Sequence, residues 1–167
     1  MRIVSQSPCR VDMAGGTLDI WPICLFHEDA TTVHFAVSRY THCELAPRPD
    51  AAIVLRSRDL GVEETYPSLE ALMAAPKPKL LIHAWLLRYF QPEGGLEMTT
   101  HSEAPAGAGI SGSSSLMVTA GAALCKLTGR KLTLDKLRET VQNIEAQVIR
   151  VPTGPQDYYP AMYGGVG

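Results

Sequence analysis

The chain has 167 residues, 46% of them hydrophobic and 19% charged, with a formal charge of −2. That balance suits one folded domain with a sizeable core and excludes a disordered chain. The near-neutral charge, with no block of Lys or Arg, excludes an electrostatic footprint for nucleic acid or an anionic membrane surface.

Residues 2–5 are predicted as a short strand, followed by the unusual stretch SPCRVDMAGGTLDIWP. Alternation and β-branched residues predict strands over 31–38, 41–46, 52–57 and, more weakly, 62–66. Ser68 is placed to cap a short helix, and residues 79–90 form a stronger one that ends before Pro92 and Gly94-Gly95. Residues 96–103 alternate again and predict a strand. A glycine-serine loop comes next, then a helix over 113–127 closed by Gly129. Thr133 caps a further helix whose apolar residues, Leu134, Leu137, Val141, Ile144 and Val148, fall three and four apart. Pro152 stops it, and the tail reads VPTGPQDYYPAMYGGVG. A mixed α+β domain follows, with antiparallel strands early and helices late.

Cys9, Cys24, Cys43 and Cys125 include no C-x-x-C pair, so they are expected as reduced thiols in or near the core, not as a zinc or redox site. The N-terminus lacks a signal-peptide core, and no apolar run is long enough to span a bilayer, so a cytoplasmic location is expected.

The loop EAPAGAGISGSSSLMV joins a strand to an apolar helix. Such a junction can hold an anion, because the first N–H groups of a helix lack intrahelical partners and carry the positive end of its dipole. Gly107, Gly109 and Gly112 allow close approach, and Ser111, Ser113, Ser114 and Ser115 add hydroxyls. The structural alternative is a small-residue connection that merely packs tightly. A Walker A loop is excluded, because no lysine lies between Glu103 and Leu124. The G-x-G-x-x-G spacing suggests a dinucleotide site only weakly, since it sits mid-chain with Thr128-Gly129 where an acid would be required. Charge on a bound phosphate would instead call for Mg²⁺ held by carboxylates from elsewhere.

Four further residues are candidates. Glu145 lies at the edge of the apolar stripe of its helix, as a metal ligand or as a solvated surface acid. Asp157 begins a turn after Gly154-Pro155, as an acceptor for a hydroxyl proton or as a cap. Arg10 and Asp19 flank the Gly15-Gly16 turn. Arg10 could position phosphate or lower the pKa of a nearby acid, and Asp19 could accept from two sugar hydroxyls; the structural alternative is a surface ion pair or a cap to the turn.

Together these blocks resemble the GHMP kinase superfamily, which includes galactokinase, homoserine kinase, mevalonate kinase and phosphomevalonate kinase. SPCRVDMAGGTLDI is similar to the N-terminal sugar-kinase motif, PAGAGISGSSSLMV to the ATP-phosphate loop, and Glu145 through TGPQDYYPAMYGG to the stretch bearing a metal-binding glutamate and a catalytic aspartate. The arrangement lies nearest the heptose 7-phosphate kinase and fucokinase branch. Galactokinase has Glu-His where this chain has Gly16-Thr17, which leaves room for a larger sugar or a sugar phosphate.

The resemblance implies a fold like domain 2 of ribosomal protein S5. It implies an ATP- and Mg²⁺-dependent kinase that phosphorylates a sugar hydroxyl, the anomeric one being expected. ATP would lie on Pro105, Gly107, Ala108, Gly109, Ile110, Ser111, Gly112, Ser113 and Ser114. The metal would lie on Ser113 and Glu145, and the catalytic residues would be Asp157, a carboxylate that orients or deprotonates the acceptor hydroxyl, and Arg10 beside it. The sugar would contact Arg10, Gly15, Gly16, Asp19 and Asp157. Residues 1–167 are then expected to be the N-terminal half of a longer family chain, nearly inactive alone. The competing expectation is a non-catalytic module that binds sugar or nucleotide.

Overall fold

The computed structural model describes residues 2–105 and 107–167, so Ala106 of the glycine-serine loop lies outside the described residues. Its first strand, β1 (Ile3–Ala14), runs well past the short strand expected at 2–5. Pro8 does not end it because β1 is an edge strand, where a missing N–H can face outward. β2 (Val33–Arg48) unites two strands that the sequence suggested were separate. Its pairing steps from Pro8–Tyr40 to Cys9–Val37, so Ser38 and Arg39 form a bulge and the strand continues through them. Between these strands lies a 3₁₀ turn at Ile23–Phe26, a stretch whose sequence carries no periodic pattern.

β3 (Ile53–Ser57) and β4 (Val62–Tyr66) form an antiparallel hairpin. Next come α1 (Leu69–Ala74), capped by Ser68 as expected, then α2 (Leu81–Phe90) and β5 (Gly95–Ser102). The sheet order is β1-β2-β5-β3-β4, with β5 antiparallel to β2 but parallel to β3. That parallel pair departs from the antiparallel expectation. The chain leaves β4, returns through α1 and α2, and inserts β5 into the middle of the sheet, a connection that only a crossover can make.

α3 (Gly112–Thr128) and α4 (Leu134–Ile149) follow, the latter capped by the Thr133 hydroxyl accepting the Lys136 N–H at 3.2 Å. A 3₁₀ turn at Pro155–Asp157 leads into α5 (Tyr159–Tyr163). One buried cluster joins Cys43, Leu45, Ile53, Leu55, Leu96 and Met98 of the strands to Leu87, Phe90, Met117, Leu124, Val141 and Ile144 of the helices. α3 packs on β1, β2 and α4. Its approach to α4 needs Gly121, since a Cβ there would lie 2.7 Å from Val141 Cγ1. The result is a helix buried along its length whose N-terminus alone reaches an open cleft.

Val166 bridges Phe35, and Gly167 exchanges two 3.0 Å hydrogen bonds with His34, so the stretch bearing Asp157 is tied back to β2. Cys9 and Cys43 are buried and Cys24 and Cys125 half-buried, all as free thiols. Among the described residues no helix is long and apolar enough to cross a membrane.

Candidate functional site

Beyond β5 the chain turns sharply to reach α3. Glu103, the only charge of the loop, points away from it: its carboxylate accepts the Tyr40 N–H at 3.0 Å. Gly107 and Gly109 take positive φ values of 76° and 69°, which side chains rarely adopt. Ser111, the residue before α3, also has a positive φ, 54°, and its side chain caps nothing in the helix. It donates instead to Asp157 Oδ1 at 2.9 Å. Among the described residues the first turn of α3 therefore has neither a side-chain cap nor an acid, and no backbone acceptor outside the helix meets the Gly112, Ser113 or Ser114 N–H. A non-glycine residue in this conformation costs on the order of 1–3 kcal/mol, which points to a demand other than folding.

The four serines separate. Ser113 is exposed at the helix start and Ser114 is buried behind it. Ser115, expected among the phosphate-facing hydroxyls, faces the other way. It bonds the Ser7 and Pro8 carbonyls at 3.2 and 3.0 Å and Thr41 Oγ1 at 2.8 Å, which pins α3 to β1 and β2. One helical step of 100° per residue turns it from cleft to sheet.

Glu145 is not a solvated surface acid. It is 2% exposed, and its Oε2 accepts the Tyr158 hydroxyl at 2.7 Å. Tyr158 also meets Thr153 Oγ1 at 3.0 Å. Burial pushes the Glu145 carboxyl above its ordinary pKa, against hydrogen bonds from Ser113, Tyr158 and Ser114, while the charge of Asp157 adds to the rise. A buried carboxylate with no cation paired to it is costly to ionise unless one arrives.

Asp157 does not cap a helix. Besides Ser111 it accepts from Arg10 Nη2. Arg10 is buried; its Nη1 reaches the Gly109 carbonyl at 3.4 Å and its Nη2 lies 3.5 Å from Asp12 Oδ2. Arg10 and Asp19 thus form no surface ion pair, because Arg10 is engaged inside with Asp157.

Pro105, Gly107, Ala108, Gly109, Ile110, Ser111, Gly112, Ser113 and Ser114 line one cleft of about 540 Å³ together with Arg10, Glu145 and Asp157. Gly15, Gly16 and Asp19 do not line it. They lie beyond Arg10, where Asp19 Oδ2 accepts the Gln156 N–H at 3.0 Å. Burial raises the Asp19 pKa, countered by that hydrogen bond, with Asp157 and Asp12 adding to the rise.

Sequence reasoning missed Asp12, Gln156 and Tyr158. Asp12 was findable: it stands two residues from Arg10, and on a strand that spacing puts both on one face. Gln156 and Tyr158 gave no signal beyond adjacency to Asp157.

Among the described residues no group of three or more His, Cys, Asp or Glu side chains could hold a metal ion. The oxygens of Ser113 and Glu145 still suit Mg²⁺, which is commonly held by one or two protein ligands while substrate phosphates and water complete its shell. The uncompensated charge of Glu145 fits the same cation.

Residues 79–165 match the family model described as the GHMP kinases N terminal domain. That stretch holds the loop, Glu145 and Asp157, whereas Arg10, Asp12 and Asp19 precede it. The D-glycero-alpha-D-manno-heptose 7-phosphate kinase of Campylobacter jejuni is 29% identical over 166 residues, covering 98% of this chain and 49% of that protein. The chain therefore spans about half the length of the curated relative it matches. A crystal structure of a D-glycero-D-manno-heptose 1-phosphate kinase from Bacteroides thetaiotaomicron superposes with a TM-score of 0.86 at 22% identity, covering 99% of this chain and 55% of that one. The mevalonate kinase of Methanococcus jannaschii superposes with a TM-score of 0.79 at 16% identity, covering 99% and 52% respectively. With its mixed sheet, its helices and the matched stretch from α2 to the final glycines, the chain belongs to the GHMP kinase family as an N-terminal domain.

Proposed function

We propose that the protein is an ATP-dependent sugar kinase. It would transfer the γ-phosphoryl group to a hydroxyl, the anomeric one, of an aldose or aldose phosphate such as heptose 7-phosphate. Residues 1–167 would form the ATP- and sugar-binding domain, and a C-terminal domain would close the cleft. The observation that carries this reading is the uncapped start of α3. It opens on the same cleft as Glu145 and the Arg10–Asp157 pair. The heptose 7-phosphate activity of the Campylobacter jejuni relative supports the choice of acceptor class.

In this reading the amides of Gly112, Ser113 and Ser114 and the positive end of the α3 dipole hold the β- and γ-phosphates. Leu60, Ile82, Leu116 and Ile149 line the same cleft and offer apolar surface to the base. Ser113 and Glu145 would hold Mg²⁺, which offsets charge on the phosphates. Asp157 orients the acceptor hydroxyl and takes its proton as it attacks phosphorus. Arg10 holds Asp157 in place and presents positive charge to the transferred group. Asp19, beyond Arg10, accepts from hydroxyls of the sugar, with Gly15 and Gly16 leaving room beside it. Such catalysis is mostly positioning and electrostatics.

The test is ADP release by the full gene product with MgATP and a panel of aldoses and aldose phosphates, heptose 7-phosphate included. Sugar-dependent turnover is expected. ATP binding with no turnover on any sugar would refute the kinase and favour a non-catalytic binding module.

A further inference from the structure

Gln156 is 5% exposed, yet it fills no apolar role. Its main-chain N–H donates to Asp19 Oδ2 at 3.0 Å and its side-chain Nε2 to Asp12 Oδ2 at 3.2 Å. The orientation of the amide is dictated by chemistry: Asp12 presents carboxylate oxygens, which only the NH₂ end can serve. An amide in so enclosed a place is costly unless it is hydrogen-bonded, and within the described residues its side chain makes one bond, to Asp12, while Oε1 is left without a partner.

The groups it holds would otherwise separate. Asp12, Asp19 and Asp157 are three carboxylates served by one guanidinium, and Arg10 reaches only Asp157 and, at 3.5 Å, Asp12. Among the described residues Asp19 has no arginine as a hydrogen-bond partner. Repulsion among like charges favours spreading them apart, and the two donors of Gln156 oppose that.

The backbone is shaped around the same arrangement. A Cβ on Gly16 would lie 2.2 Å from Asp12 Oδ2, and one on Gly154 would lie 2.1 Å from Asp19 Oδ2. Each carboxylate rests against a glycine of a different segment, so a side chain at either position would displace it. Asp12 Oδ1, Asp19 Oδ1 and Gln156 Oε1 are enclosed without a hydrogen-bond partner among the described residues. All three are acceptors. Hydroxyl groups could satisfy them; a phosphate, which brings acceptors and negative charge, could not. Arg10 Nε, an enclosed donor without a partner among the described residues, belongs to the arginine that pairs with Asp157.

We infer that Gln156 is a positioning residue for the acceptor sugar: it clasps Asp12 and Asp19 into one hydroxyl-reading wall and fixes that wall against the neighbouring Asp157. The inference rests on the sugar-kinase reading and adds Asp12 to the acceptor site. It also gives the sugar a direction, with hydroxyls toward this wall and any phosphate of an aldose phosphate away from it.

The test uses the full gene product with the sugar that supports turnover. Gln156→Glu keeps the shape but sets a fourth carboxylate against Asp12, and should raise the acceptor KM by about tenfold or more while the ATP KM stays within about twofold. Gln156→Asn, which withdraws only the amide and adds no charge, should move the acceptor KM in the same direction and is the milder change for folding. The double variant Asp12→Asn with Gln156→Glu exchanges donor and acceptor, and should bring the acceptor KM back toward the wild-type value. An unchanged acceptor KM in both single variants would overturn the inference. So would equal rises in both KM values, or a double variant no better than Gln156→Glu alone. Failure of the kinase reading looks different: the wild-type protein would show no sugar-dependent turnover, and the positioning role would fall with it.

Discussion

Glu145→Gln separates a structural carboxylate from one kept for function. The side chain is 2% exposed and accepts from Tyr158 at 2.7 Å, with Ser113 and Ser114 beside it. Glutamine has the same shape. Its oxygen can accept from Tyr158 and its NH₂ can donate to a serine hydroxyl, so no hydrogen bond need be lost. What disappears is a buried negative charge, whose desolvation costs several kcal/mol, against about 1.5–3 kcal/mol returned by a hydrogen bond to a charged group. The variant should therefore gain about 1–2 kcal/mol and melt roughly 2–8 °C higher at neutral pH. The gain should depend on pH. The folded pKa of Glu145 is raised above its ordinary 4.5 by burial, so the wild-type carboxyl contributes most at low pH and loses that contribution as pH rises through the folded value. The difference in melting temperature should vanish near pH 4 and widen upward, as read by calorimetry across a pH series. Mg²⁺-dependent activity should fall by about tenfold or more at the same time. A lower melting temperature with activity intact would refute this reasoning and make Glu145 a structural anchor.

Asp157→Asn should lower kcat by about 10²–10⁴ while ATP affinity, read by calorimetry, changes little; normal turnover would remove Asp157 from the chemistry. Ser113→Ala should raise the Mg²⁺ concentration for half-maximal activity by about tenfold, whereas an unchanged metal dependence would take Ser113 out of the site. His83 is buried, with Nε2 2.8 Å from Thr100 Oγ1 and Nδ1 enclosed without a partner among the described residues. Burial lowers its pKa from 6.5 to about 4. The unfolded chain thus takes up a proton that the folded one refuses, and stability falls as pH drops from about 6.5 to about 4, by roughly 3 kcal/mol in all. His83→Leu should flatten that part of a denaturant-midpoint curve against pH, and an unaltered slope would rule the histidine out as its source.

The order of elements was legible because local chemistry fixes it: Ser68 and Thr133 cap as their sequences suggest, and Gly129 closes α3 in the left-handed region. What the sequence concealed was pairing. Nothing local to residues 95–102 says that they insert between β2 and β3, and nothing at Ser38-Arg39 says that a bulge will absorb them instead of a turn. The site divides in the same way. The glycine-serine loop was visible because glycine and serine at a strand-to-helix junction have a local physical meaning. Glu145 sat at the edge of its stripe, and local position alone favoured solvent. Its burial depends on Tyr158, thirteen positions away on a different element, and no local pattern reports that contact.

A single arginine decides how the separate pieces of the cleft are held together. The Arg10 N–H donates to the Ile110 carbonyl at 3.1 Å, its guanidinium reaches the Gly109 carbonyl at 3.4 Å, and the same guanidinium pairs with Asp157. Ser111 closes the ring by donating to the same Oδ1 of Asp157. The loop proposed to hold phosphate and the acid proposed to meet the sugar hydroxyl therefore do not move independently. Displacing either one stretches bonds to the other, and a charge-assisted pair makes that displacement costly. The unusual backbone of Ser111 follows from the same constraint. Its left-handed conformation turns the hydroxyl toward Asp157, where an ordinary capping serine would bond its own helix and close off the amides. One strained residue thus leaves the helix start open and fixes the acid beside it, the two conditions that the proposed in-line transfer between phosphate and hydroxyl would require.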